Sequence, residues 1–63
     1  MFIEVVPTDP TEKAILVNID ALVKIVPHPA DDKFTYLYFR EGAEGEMLVE
    51  TSYTDIRRTL GFS

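Results

Sequence analysis

The sequence predicts an α+β fold, in which an antiparallel β-meander of four to five strands has one short C-terminal helix packed on one face. Three observations predict this fold. Short runs of β-branched and aromatic residues recur along most of the chain, turn-forming residues separate the runs, and apolar residues at helical spacing occur near the C-terminus. We expect a single small β-rich domain over residues 1–63, because a chain of 63 residues does not hold two independent cores.

The first half of the chain predicts three strands separated by two turns. Residues 7–11 include two prolines and several turn-forming polar residues, which end the pairing of the first strand. Residues 18–21 predict a bend or a single helical turn. In the third strand, alternation places Val23 and Ile25 on one face and Lys24 on the other. The three strands are predicted at residues 2–6, 14–18 and 22–26.

The fourth strand, at residues 34–39, has the strongest β signal, because every residue in it favours a pleated surface. A glycine-containing turn at residues 41–45 leads to a last strand at residues 47–51. Successive side chains of a strand point to opposite faces of the sheet. A single helix therefore covers only one of the two sets of side chains on the fourth strand. One set consists of Thr35, Leu37 and Phe39, and the other of Phe34, Tyr36, Tyr38 and Arg40.

The C-terminal segment predicts the helix. Ser52 and Asp55 have the spacing of a capping box, in which side chains satisfy backbone N–H groups of the first turn. Gly61 suits the left-handed residue that follows a helix, and Phe62 is expected to fold back onto Ile56 in a Schellman-type contact. The apolar stripe of this helix consists of Tyr53, Ile56 and Leu60.

Composition excludes several functional classes. The chain contains no cysteine and one histidine, which excludes disulfide scaffolds, Cys-based zinc or iron–sulfur sites, thiol catalysis and multi-His metal sites. Six Lys+Arg against eleven Asp+Glu give a formal net charge of −5, which argues against general binding to a phosphate backbone. No apolar run approaches the roughly 20 residues of a membrane span, and no signal peptide is recognisable, so we expect a cytoplasmic protein without a cofactor.

The small size of the chain favours association. A domain of this length buries only about 60% of the surface that its unfolded chain exposes, so the hydrophobic gain barely exceeds the cost in conformational entropy. Disulfides and structural metals often stabilise such small domains, but the composition excludes both. We therefore expect a homo-oligomer or a chain that docks on a partner protein.

The second set of side chains on the fourth strand is the candidate interaction surface. We expect Phe34, Tyr36 and Tyr38 at the centre of the contact and Lys24 and Arg40 at its rim, because tyrosine combines a large contact area with a polar tip. The expected partner is another protein chain or a second copy, and no small-molecule substrate is inferred. The open alternative is that cross-strand neighbours and long Lys or Glu side chains shield the rings as ordinary sheet packing.

Two alternative functions depend on charge. Aromatic rings on a sheet also suit single-stranded nucleic acid, which makes a nucleic-acid-binding transcriptional regulator the first alternative. Such proteins combine the rings with a basic groove, whereas the adjacent turn carries Glu41, Glu44 and Glu46. This acidic hairpin favours a solvated sheet edge. It is also compatible with an inhibitor that occupies the basic groove of another protein.

Metal binding and catalysis are not expected. His28, Asp31 and Asp32 have suitable ligand atoms, but Pro29 and the loop setting argue against preorganised coordination, and a titrating surface histidine is the simpler interpretation. The sequence contains no nucleophile elbow and no glycine-rich phosphate loop, and Ser52 is better used as a helix cap. We therefore predict that the protein is not an enzyme.

Two segments carry a resemblance to a known group of small proteins. Residues 17–25, Val-Asn-Ile-Asp-Ala-Leu-Val-Lys-Ile, precede the aromatic strand, and residues 48–56, Leu-Val-Glu-Thr-Ser-Tyr-Thr-Asp-Ile, enter the helix. Together they resemble the short flagellar-operon proteins of the FlbD/YlzI type, with a more distant similarity to LytTR-type DNA-binding domains. The resemblance covers residues 14–56 and implies a small bacterial accessory protein without enzymatic activity or catalytic residues. The chain lacks a basic tail, which argues against a DNA-binding function like that of LytTR-type domains.

Overall fold

The computed structural model describes residues 1–40 and 45–62, which form five strands, one 3-10 turn and one α-helix. The predicted α+β class, with antiparallel strands and a short C-terminal helix, is confirmed. The strands are β1 (Phe2–Val5), β2 (Ile15–Asn18), β3 (Leu22–Pro27), β4 (Thr35–Phe39) and β5 (Glu46–Val49); the 3-10 turn is Ile19–Ala21 and the helix is α1 (Tyr53–Leu60).

The strands form two antiparallel sheets. The first sheet is the hairpin of β1 and β2, and the second contains three strands in the order β3-β4-β5. The 3-10 turn connects the two sheets, at the position where the sequence predicts a bend or helical turn. Asn18 caps the start of this turn, because its side-chain oxygen accepts a hydrogen bond from the Asp20 N–H at 3.1 Å.

The two sheets meet where β1 ends. Pro7 forms an isolated antiparallel bridge with Val49, and the Glu50 N–H donates to the Val6 carbonyl at 2.6 Å. The Val6 N–H in turn donates to the Thr51 hydroxyl at 2.9 Å. The sequence predicts that Val6 extends β1. In the structure, Val6 instead pairs with the segment that follows β5. This junction places β1 beside β5.

One hydrophobic core fills the space between the sheets and the helix. Leu37 and Val49 are fully buried, and the core receives residues from both sheets and from α1. The helix packs against β1 and β3, so it covers only the inner face of the second sheet. The buried apolar residues are Ile3, Val5, Val17, Leu37, Val49 and Ile56.

Strand β3 corrects the predicted alternation. Leu22 pairs with Phe39 and Lys24 pairs with Tyr38, so Val23 is an extra residue in a β-bulge. The bulge allows both Leu22 and Ile25 to pack against the core, while the side chain of Val23 is 62% exposed. The expectation that Val23 and Ile25 share a face is therefore wrong, because simple alternation assumes an unbroken ladder. Lys24 does point to the opposite face, beside Tyr38.

The helix begins at the predicted N-cap and ends at the predicted glycine, but only the Ser52 half of the capping box forms, and the Asp55 carboxylate accepts from Arg58 at 3.2 Å. The Ser52 side chain accepts a hydrogen bond from the Asp55 N–H at 3.1 Å, and Gly61 has a φ of 92° in the left-handed region. The Gly61 N–H donates to the Arg58 carbonyl and the Phe62 N–H to the Arg57 carbonyl, which is the Schellman pattern. In the described part of the chain, no helix is long and apolar enough to cross a membrane.

Candidate functional site

The outer face of the second sheet consists of two cross-strand rows, which we call the aromatic face. In the first row, Tyr38 lies between Lys24 and Glu46. In the second row, Tyr36 lies between two apolar residues on the neighbouring strands. The members of the aromatic face are Lys24, Tyr38 and Glu46 in the first row and Val26, Tyr36 and Leu48 in the second.

Aromatic rings continue beyond these rows toward the start of β4. Tyr36 and Tyr38 lie with their ring centroids 6.3 Å apart, and the His28 ring stacks on Tyr36 at 5.5 Å and 15°. Phe34 contacts the other side of His28, with the centroids 6.3 Å apart. These separations lie within or near the range of favourable aromatic pairs. The rings therefore form a continuous stripe of four side chains.

The rings of the stripe are half-buried. Phe34, Tyr36 and Tyr38 each retain part of their surface in solvent, and none belongs to the core cluster on the opposite face of the sheet. Their shielding comes from neighbours on the same face: the Lys24 ammonium lies 4.6 Å from the Tyr38 ring centroid, a cation–π distance. The sequence leaves open that neighbouring side chains shield the rings completely. In the structure this shielding is partial, and the rings stay accessible to solvent.

The first row carries opposite charges on its two outer strands. The Tyr38 hydroxyl donates a hydrogen bond to the Glu46 carboxylate, which raises the pKa of Tyr38 because ionisation would remove the donor beside a negative charge. Within residues 1–40 and 45–62, neither Lys24 nor Glu46 forms an ion pair. Both charges thus contact Tyr38, and within the described residues neither is neutralised by an ion pair.

His28 helps to form the loop between β3 and β4. Its Nδ1 accepts hydrogen bonds from the backbone N–H groups of Ala30 and Asp31, at 3.0 and 3.1 Å. One Asp31 carboxylate oxygen accepts from the Lys33 N–H at 3.0 Å. His28 Nδ1 and one Asp31 oxygen are thus engaged by the loop itself, and the described residues contain no group of three potential metal ligands.

The remaining predicted residues are Arg40, which lies outside the two rows, and the acidic hairpin. Arg40 follows β4, where its backbone N–H donates to the Ala21 carbonyl at 2.8 Å, and its side chain is exposed. Glu41 and Glu44 of the acidic hairpin lie outside the described residues. Glu46, the third member of that hairpin, begins β5 and belongs to the aromatic face.

Sequence reasoning missed three contributors to this surface. Val26 and Leu48 complete the second row, and His28 joins the stripe although the sequence suggests a loop residue. Alternation along β3 could have found them, because Lys24, Val26 and His28 are spaced two residues apart. The same reasoning applies to Leu48, which is two residues from Glu46.

Two other apolar surfaces are exposed. On the outer face of the first sheet, Phe2 is 61% and Leu16 67% exposed. Beside α1, an open groove of about 310 Å³ is bordered by Ile25, Tyr53 and Phe62 among others, and the Arg57 guanidinium lies 5.8 Å from the Tyr53 ring centroid. Neither surface shows the continuous stripe of ring contacts that marks the aromatic face.

Comparison with protein-family models, with curated proteins and with solved structures finds no match to this chain. The similarity to short flagellar-operon proteins of the FlbD/YlzI type therefore stays a prediction.

Proposed function

We propose that this protein is a non-enzymatic interaction module that binds a protein chain through the aromatic face. The observation that carries the proposal is the stripe of His28, Tyr36 and Tyr38 on the side of the sheet opposite the core, in which His28 stacks on Tyr36 and Tyr36 is tilted against Tyr38. Tyrosine is enriched at protein interfaces, where its ring supplies contact area and its hydroxyl stays hydrated. The proposal includes the cytoplasmic location and the bacterial or phage origin that the sequence favours.

The charge of the aromatic face favours a protein over a nucleic acid as its partner. Lys24 is the single cation in the two rows, its ammonium lies over Tyr38, and Glu46 stands on the other side of the same ring. Single-stranded nucleic acid requires several cations beside the stacking rings. A mobility-shift assay at low salt should leave a single-stranded probe unshifted, and a salt-sensitive shift would instead favour the regulator function.

Site-specific photo-cross-linking tests the proposal. A benzophenone amino acid placed at Leu48, in the second row, should give covalent adducts with a protein in the native host, and the added substitution Tyr36→Ser should remove them. The matched control carries the same group at Leu16, which is exposed on the other sheet. Adducts of equal yield at both positions, or adducts that persist in Tyr36→Ser, would contradict an interface on the aromatic face.

A further inference from the structure

We infer that the partner of the aromatic face is a second copy of this chain, with the two sheets packed face to face about a two-fold axis parallel to β4. This inference rests on the proposed function and adds the identity of the partner. A two-fold interface requires a surface that is complementary to itself, since the same patch is used by both copies. The two rows of the aromatic face meet this requirement.

The first row is complementary to itself in charge. Lys24 lies on β3 and Glu46 on β5, on opposite sides of Tyr38. A two-fold axis along β4 exchanges the outer strands, so β3 of one copy lies over β5 of the other. Lys24 of each copy then faces Glu46 of the other copy, which forms two equivalent ion pairs around a central Tyr38–Tyr38 contact.

The second row is complementary to itself in polarity. Val26 on β3 and Leu48 on β5 flank Tyr36. The same axis places Val26 of one copy over Leu48 of the other and brings the two Tyr36 rings together. Every apolar residue in this row thus meets an apolar residue, and no charge is buried against it.

The spacing of packed sheets allows these contacts. Two sheets that pack face to face are separated by about 10 Å, a gap that a lysine and a glutamate side chain span when they extend toward each other. In the protomer, Lys24 and Glu46 are both exposed, and within the described chain neither has an ion-pair partner. An ion pair with the second copy therefore breaks no ion pair of the described chain, although it competes with the contacts that Lys24 and Glu46 make to Tyr38.

The interface is small, so the dimer should be weak. A face of three strands with two rows buries less area than the roughly 800 Å² per partner of a standard stable interface. We expect a dissociation constant between roughly 10 µM and 1 mM. Sedimentation equilibrium at low salt, with protein from roughly 20 µM to 1 mM, covers this range.

Charge reversal tests the pairing. Lys24→Glu places two acidic residues in the first row and Glu46→Lys places two basic residues there, so each variant alone should dimerise at least about tenfold more weakly than the wild type. An equimolar mixture of the two variants should associate within about threefold of the wild type, because each charge then faces its opposite. Both positions are exposed, and unchanged thermal unfolding of each variant checks that the fold is kept.

The matched controls reverse charges away from the aromatic face. Glu12→Lys and Lys13→Glu change the net charge by the same amounts at exposed positions in the loop between β1 and β2. Both should dimerise like the wild type, alone and mixed. If they weaken association as strongly as the reversals at Lys24 and Glu46, net charge explains the effect and the inferred pairing is wrong.

Two further results would overturn the second copy as partner. The first is a wild type that stays monomeric at 1 mM, and the second is a mixture of the two reversed variants that remains as weak as either alone. The proposed function survives both results if the cross-linker at Leu48 captures a different protein in a Tyr36-dependent manner. It fails together with the inference if the cross-linker at Leu48 captures neither another chain nor a second copy.

Discussion

Tyr36 and Leu37 are adjacent on β4, yet one contributes to the surface and the other to the core. Leu37 is fully buried, whereas Tyr36 lies between Val26 and Leu48 on the outer face. The alternation of a strand separates them, because successive side chains leave the backbone in opposite directions. Substitutions at neighbouring positions should therefore have different effects, on stability at Leu37 and on association at Tyr36.

Truncation of Leu37 should be strongly destabilising. Leu37→Ala removes buried methyl groups and leaves a cavity in the core, so we expect the free energy of unfolding to fall by about 2–5 kcal/mol. Urea denaturation measures the change. Leu16→Ala is the control, because Leu16 is 67% exposed and its truncation should cost little. A similar loss in both variants would mean that Leu37 does not lie in the core.

The Tyr38–Glu46 hydrogen bond should be visible in a pH titration. The folded pKa of Tyr38 is raised above 10.0, mainly because its hydroxyl donates to Glu46. The protonated phenol is thus favoured in the folded state, and this contribution to stability is present below pH 10.0 and is lost as the pH rises through the raised pKa. Glu46→Gln should lower the titration midpoint of Tyr38, measured by NMR of its ring carbons.

Glu4→Gln is the control for that titration, since Glu4 lies on the first sheet and is also exposed. It should leave the midpoint of Tyr38 unchanged. An unchanged midpoint in Glu46→Gln would show that the hydroxyl does not donate to this carboxylate in solution.

At the scale of elements, local sequence rules explain the helix well. The hydroxyl of Ser52 accepts the Asp55 N–H, and Gly61 adopts the left-handed conformation that ends α1. Both features depend on residues within one turn of the helix end, so the sequence alone predicts them. The short helix has only eight residues, and its stability depends on these ends and on packing of Ile56 into the core.

Removal of the cap should destabilise the protein moderately. Ser52→Ala leaves the Asp55 N–H without its side-chain acceptor, and we expect a loss of about 1 kcal/mol in the free energy of unfolding. Thr54→Ala is the matched control, because Thr54 is exposed one position into the helix. Thermal unfolding of the two variants should separate them. A melting temperature for Ser52→Ala equal to that of the control would exclude the cap as a source of stability.

The strands were less completely predictable than the helix. The order of elements and the two faces of β4 follow from composition and alternation, and the structure agrees with both. The bulge at Val23 does not follow, because its position depends on how Leu22 and Lys24 pair with a strand far along the sequence. Alternation along β3 does place His28 on the face of Tyr36, but its position just beyond Pro27 indicated a loop residue, so its ring contact with Tyr36 was not predicted.

At the scale of the whole molecule, a short chain of hydrogen bonds joins the two sheets. The Thr35 hydroxyl, fully buried on β4, donates to the Thr51 carbonyl at 2.6 Å. The Thr51 hydroxyl accepts the Val6 N–H, which lies just beyond β1. These bonds connect β4, the segment before α1 and the end of β1, so they hold the first sheet against the second. The sequence could not reveal this junction, because Val6 and Thr51 are far apart along the chain.

Loss of the Thr35 hydroxyl should weaken this junction. Thr35→Val keeps the side-chain shape but leaves the Thr51 carbonyl without its donor, so we expect a loss of about 1–3 kcal/mol in the free energy of unfolding. Amide hydrogen exchange at Val6 and Glu50 should accelerate relative to Leu37 in the centre of β4.

Thr59→Val provides the control for Thr35→Val. It removes an exposed hydroxyl that donates to the Asp55 carbonyl within the helix, so water can replace the lost bond. It should change stability by less than about 0.5 kcal/mol. Uniform acceleration of exchange across the whole chain in Thr35→Val would show that the hydroxyl supports the fold generally rather than the junction.

The bulge residue Val23 of β3 affects how the protein aggregates at high concentration. Among the described strands, β3 pairs only with β4, so within the described residues its other edge presents unpaired backbone groups that a foreign strand could recognise. The bulge interrupts the regular spacing of these groups and so discourages fibril growth along that edge. Deletion of Val23 would keep Leu22 facing inward and Lys24 facing outward while it straightens the edge. We therefore expect the deletion variant to fold and to form thioflavin-positive fibrils at concentrations where the wild type remains clear.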